Sequence, residues 1–145
     1  MKVILILIFI ASFNLHAFEL MEGQSYKAKS NKNNCDDFVL QKSKNPNTPS
    51  WLLGPSIVFF EPGFKESDRS NCMVDKVVEK QGNKWIQNTR AFDCEDVELG
   101  YSKVEKLEMN KKSELIYSSE ITYTNQKNQV QRLSCRFVKE ASKAN

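Results

Sequence analysis

Apolar and polar residues alternate most regularly toward the C-terminus. Over residues 114–123, Leu115, Tyr117, Ile121 and Tyr123 share one face, with Glu114, Ser118, Glu120 and Thr122 on the other. This is the two-residue period of a half-buried strand. Residues 130–138 repeat it, with Leu133, Cys135 and Phe137 inward and Arg132, Ser134 and Arg136 outward. Asn125 to Asn128 reads as the turn between them. Upstream, Gly82-Asn83 is a hairpin signal flanked by Val77-Val78-Glu79-Lys80 and Trp85-Ile86, which predicts paired strands over 72–80 and 84–94. Residues 24–30 and 35–41 read as two further strands, the second with Phe38 and Leu40 on one face. Ile57 to Phe60 is wholly apolar, the pattern of a short strand buried on both faces. Residues 96–110 carry both periods; strand is favoured over 101–109 because both neighbours are β, with a short helix as the alternative.

Two stretches carry no such pattern. Pro46, Pro49, Gly54 and Pro55 mark residues 43–55 as a loop, because proline and glycine interrupt regular structure. Lys65 to Asn71 reads as a polar loop. The remaining segments give about eight short strands, with few intervals long enough for a crossover helix, so they are expected to pair antiparallel. Barrel closure would remove the exposed edges of such a meander. The expected fold is therefore all-β: one small antiparallel meander forming an up-and-down barrel or a strongly curved sheet, with a two-sheet sandwich as the alternative. In outline this resembles lipocalin-like barrels. That family opens its first strand with Gly-x-Trp, and Gly23-Gln24-Ser25-Tyr26 has no Trp. No residue or activity is carried across.

The first seventeen residues follow a different pattern. Met1-Lys2 precedes an apolar run from Val3 to Ala11, and Ala17 is a small residue at a suitable end point. A cationic start, a short apolar stretch and a small residue define a secretory signal peptide. The run is shorter than the roughly 20 residues of a membrane-spanning helix. The expectation is a cleaved signal over 1–17 and a single β domain over 18–145, exported to a periplasmic or extracellular space. No stable membrane span is expected after cleavage.

Export gives the four cysteines a meaning. An even count in an oxidising compartment reads as a disulfide framework. Counting outward from the Gly82 turn brings Cys72 near Cys94, which leaves Cys35 with Cys135; Cys35–Cys72 with Cys94–Cys135 is the alternative pairing. The intervals are too wide for the close Cys pairs of a zinc site. Cleavage also removes His16, the one histidine in the chain. Imidazole-based catalysis is thereby excluded, and no nucleophile elbow, phosphate loop or dinucleotide glycine pattern is present. The balance leans away from an enzyme; the remote alternative is a hydrolase using two carboxylates. No cofactor is expected. Asp93, Glu95, Asp96 and Glu98 are the densest acids, but their spacing is not that of a calcium loop, and a solvated turn is favoured.

Two features are left as candidate sites. Trp51-Leu52-Leu53 is an apolar triplet in the expected 43–55 loop. It is read as folding back onto the core, with a ligand-binding mouth as the functional alternative. Basic residues gather early (Lys27 to Lys44) and late (Lys127 to Lys143), and Arg132 and Arg136 share an outward face. If the first and last strands are neighbours, these charges form one surface suited to an acidic protein or an anionic envelope. Nucleic acid is disfavoured by export and by a formal net charge of only +3, with no aromatic stacking platform among the lysines. The leading expectation is a non-enzymatic exported barrel binding a small apolar ligand at Trp51, Leu52 and Leu53. The alternative is an interaction or inhibitory module acting through its loops, Arg132 and Arg136.

Overall fold

The computed structural model of the chain describes residues 18–29, 35–96, 99–124 and 129–141. The expected signal peptide, the 125–128 turn and Glu98 lie outside them. Eleven strands are described: β1 (Ser25–Ala28), β2 (Phe38–Val39), β3 (Gln41–Lys42), β4 (Ser50–Leu53), β5 (Ile57–Phe60), β6 (Lys65–Arg69), β7 (Met73–Gln81), β8 (Lys84–Phe92), β9 (Tyr101–Met109), β10 (Glu114–Tyr123) and β11 (Val130–Lys139). They form an eight-stranded sheet in the order β2-β1-β11-β10-β9-β8-β7-β6 and a three-stranded sheet β3-β4-β5. Every pairing is antiparallel.

The long strands follow the alternation that predicts them. Trp85 on β8, Leu107 on β9, Leu115 and Tyr117 on β10, and Cys135 and Phe137 on β11 are buried on one face. The Gly82 turn has the positive φ of 61° that a tight hairpin favours in glycine. Residues 101–109 are strand, and the first and last strands pair, Tyr26 opposite Lys139.

Three expectations are corrected. The 43–55 segment is not loop throughout, because β4 occupies 50–53. Its prolines and Gly54 lie outside those four residues, where they break no ladder bond. Residues 65–69 are a strand, not a polar loop. Every residue of β6 is exposed and it ends the large sheet, so it buries no face and shows no apolar period. Ile57 to Phe60 is buried on one face only: Phe59 is fully covered while Val58 is exposed.

Two short junctions join the sheets. Leu40 alone separates β2 from β3. Its N–H donates to Gln24 C=O, and the Gly23 N–H donates to its carbonyl, on the β1 side. Three residues on, Ser43 N–H donates to Ser50 C=O on the β4 side. At the second junction Glu61 N–H donates to Pro49 C=O, whereas Gly63 N–H donates to Val78 C=O of β7. Each strand thus transfers its hydrogen bonds from one sheet to the other as it passes. The core lies between the sheets, where Leu40, Leu53, Phe59, Val78, Leu107 and Phe137 are nearly or fully enclosed.

Two disulfides fasten this arrangement: Cys35–Cys135 and Cys72–Cys94. The first links the segment ahead of β2 to β11, with β1 between those two strands in the sheet order. The second closes the outer end of the β7–β8 hairpin. Two structural disulfides are the pattern of an oxidising, exported compartment. No helix among the described residues is long and apolar enough to cross a membrane.

Candidate functional site

Inside the domain, β8, β9 and β10 carry polar residues at positions that face the core. Gln87 and Glu105 are directly opposite on β8 and β9, and both are buried. Gln87 Nε2 donates to Glu105 Oε2 at 2.7 Å, Tyr117 Oη donates to Glu105 Oε1 at 2.6 Å, and Lys103 Nζ lies 2.8 Å from the same oxygen. A buried carboxylate is tolerable when donors surround it in this way. Burial, and then the Glu105 charge beside it, push the Tyr117 phenol well above its ordinary value near 10. Gln87 also reaches across the interior: its Oε1 accepts from Phe60 N–H at 2.9 Å and its Nε2 donates to Val58 C=O at 3.3 Å. This amide couples β8 of the large sheet to β5 of the small one.

The second buried acid, Glu114, begins β10. Lys29 and Asn110 donate to its carboxylate, and Arg136 Nε lies 3.8 Å away. The Lys29 contact, then that of Asn110, hold this carboxyl below its usual value. Glu105 is opposite Ser119, five positions along β10 from Glu114. At about 3.4 Å per residue the two acids are roughly 17 Å apart along the sheet and face opposite sides. Paired-carboxylate hydrolysis needs about 5–9.5 Å, so these two do not form such a pair. Among the described residues no three acids or cysteines are grouped to hold a metal ion.

The residues singled out in the sequence fall in several places. Trp51 and Leu53 are buried on β4, opposite Phe59 and Ile57. Leu52 is half-buried, and Lys42 Nζ sits 5.4 Å from the centre of the Trp51 ring. Trp51 and Trp85 bury indole N–H groups that have no hydrogen-bond partner among the described residues. Arg132 and Arg136 share the outer face of β11, as expected. Arg132 Nε is paired with Glu120 at 2.7 Å, and Arg136 faces Glu114. Acids of β10 therefore meet both charges.

A concavity lies elsewhere, at the end of the large sheet where the Gly82 turn, the β9–β10 turn and the start of β1 come together. It is a cleft of about 590 Å³. Phe18, Met21, Tyr26 and Met109 provide apolar surface; Gln24, Asn83, Asn110, Lys111, Ser113, Lys139 and Glu19 provide the polar remainder. Phe18 packs edge-on against Trp85 at 5.1 Å, which anchors this wall to the core. Met21 is 59% exposed, the most exposed large apolar side chain described. Asn83 Nδ2 donates to Met109 C=O at 2.8 Å and Gln24 Nε2 to Ser25 and Glu140 carbonyls, so these amides hold the cleft's shape. Burial pushes the Tyr26 phenol above its ordinary value. A second hollow of about 560 Å³ surrounds Phe92, Tyr101 and Tyr123 at the opposite end.

The larger cleft is built from four separate stretches of chain, and no sequence motif announces it. Only the alternation that turns Tyr26 and Met109 inward could have flagged its floor. No known family model, curated protein or solved structure matches this chain.

Proposed function

We propose that this is an exported, non-enzymatic binding protein that holds a small, mainly apolar ligand in the cleft between Phe18, Met21, Tyr26 and Met109. The carrying observation is the cleft itself. Its volume of about 590 Å³ falls within the roughly 300–1,000 Å³ range of ligand pockets. Met21 is exposed at its mouth and Met109 is half-buried, over the buried rings of Phe18 and Tyr26, at a point where the backbone is held by side-chain amides. In this reading Trp51 and Leu53 are core wall, and the mouth is bounded by Met21 and Lys139. The two sheets act as parts of one rolled barrel, closed through the junctions at Leu40 and at residues 61–63, with Gln87 as an internal tie. Residues 1–17 are removed on export. The burial of Phe18 and Leu20 supports a cut no later than Ala17, since a later one would delete core side chains.

The test is native mass spectrometry of the full-length chain expressed with its leader and recovered after export. The reading expects a mass beginning at Phe18, two disulfides and a retained or readily loaded apolar molecule. Loading that survives Met109→Arg would remove the cleft from consideration.

A second reading is favoured by one observation. A shallow outer hollow of about 460 Å³ is lined by Lys106, Ser118, Glu120, Arg132 and Ser134, which suits contact with a protein or anionic envelope surface through the Arg132 face. Because Glu120 neutralises Arg132 there, the end cleft remains the stronger site.

A further inference from the structure

Resting on the reading of the end cleft as a ligand site, we infer that its ligand is a long-chain carboxylate, with the chain on the apolar floor and the anionic head between Lys111 and Lys139. Asn83, Asn110 and Gln24 line the cleft, but their amide groups are bonded to Met109, Glu114, Ser25 and Glu140. They hold the turns and are not free to select a head group. Lys111 and Lys139 differ. Lys29, Lys42, Lys76, Lys84 and Lys103 each face an acid elsewhere in the fold; Lys111 and Lys139 are among the lysines with no ion pair among the described residues, and they are the ones that line the cleft. Among the described residues Glu19 is the one carboxylate lining the cleft, so their charges leave the rim an excess of positive charge.

The two lysines come from different elements, the β9–β10 turn and the end of β11. Lys139 is the cross-strand partner of Tyr26, so its stem rises from the same face as the apolar floor. A lysine stem covers apolar surface while its ammonium stays at the water boundary. That arrangement matches a molecule that is apolar along its length and anionic at one end. Charged hydrogen bonds are stronger than neutral ones, which favours a carboxylate over an alcohol of equal chain length.

The experiment is calorimetric titration of the full-length exported protein with decanoate, decanol and decylamine, each below its aggregation threshold, at pH 8 and low salt. Trp85 fluorescence is followed in parallel, because Phe18 links the cleft to that ring. Decanoate is expected to bind roughly tenfold more tightly than decanol, and decylamine more weakly than either. Lys111→Gln/Lys139→Gln should bring the decanoate-to-decanol ratio close to one. Lys44→Gln/Lys65→Gln, at positions that do not line the cleft, should leave the ratio as it was. Equal affinity for decanoate and decanol, or a ratio that survives the first double substitution, overturns the inference and leaves the cleft as a site for uncharged molecules. Failure of all three probes to bind overturns the binding reading and this inference together.

Discussion

Removing the Cys35–Cys135 bond should cost this domain more than removing Cys72–Cys94. The two bonds close segments of very different length, with sequence separations of 100 and 22 residues. Treating a disulfide as a constraint on the unfolded chain gives about 4.7 kcal/mol for the longer loop and about 3.4 kcal/mol for the shorter. Packing adds to the difference, since Cys35 and Cys135 belong to the core cluster and Cys72 does not. The expected gap is therefore at least about 1.3 kcal/mol, or roughly 3–6 °C in melting temperature for a domain of this size. The comparison is Cys35→Ala/Cys135→Ala against Cys72→Ala/Cys94→Ala, by urea denaturation with the slope checked for constancy. Equal losses, or a larger loss for the hairpin pair, would refute the claim that the long bond is the main covalent restraint on the fold.

Four further outcomes follow from the buried groups. Tyr117→Phe leaves Glu105 without its shortest donor and should cost about 1.5–3 kcal/mol in thermal or chemical denaturation. Because the folded Tyr117 pKa is raised, its contribution is complete below pH 10 and is lost as pH rises above it. Melting temperatures from pH 8 to 11.5 should fall, less steeply in Tyr117→Phe. Glu114 has the opposite sign: its pKa is lowered, so its contribution is present above about pH 4.5 and disappears on acidification. A pH titration of stability from 6 to 2 should show that limb in the parent and a smaller one in Glu114→Gln. Gln87→Leu strands Phe60 N–H and removes one of the donors to Glu105, leaving Tyr117 and Lys103, and a loss of about 1–3 kcal/mol is expected, with faster hydrogen exchange at Phe60.

The sequence was most informative where a strand buries one face against the core. The 114–123 and 130–138 segments, the Gly82 hairpin and the cysteine pairing are all local patterns, or follow from one by counting. It was least informative where that contrast is missing. β6 is exposed along its whole length, so Lys65-Glu66-Ser67-Asp68-Arg69 has no apolar residue with which to mark a period. β4 is only four residues long and proline-bounded, and its strand character comes from pairing with β3 and β5. The continuous pattern over 35–41 hides the change of partner at Leu40, because a strand crossing between sheets keeps its own alternation. The end cleft is beyond local patterns altogether. Phe18, Tyr26, Asn83, Met109 and Lys139 are brought together only by the antiparallel register of β1, β11, β10, β9 and β8.

The most direct measurement is an NMR structure-restrained titration of the exported protein with decanoate, reading intermolecular contacts from the methyl groups of Met21 and Met109 and the rings of Phe18 and Tyr26. The account predicts contacts from the ligand chain to these four side chains, with the carboxylate end near Lys111 and Lys139. Contacts confined to Trp51, Leu52 and Leu53, to the Tyr101–Tyr123 hollow or to the Arg132 face would contradict it, as would saturating ligand that perturbs none of the cleft residues.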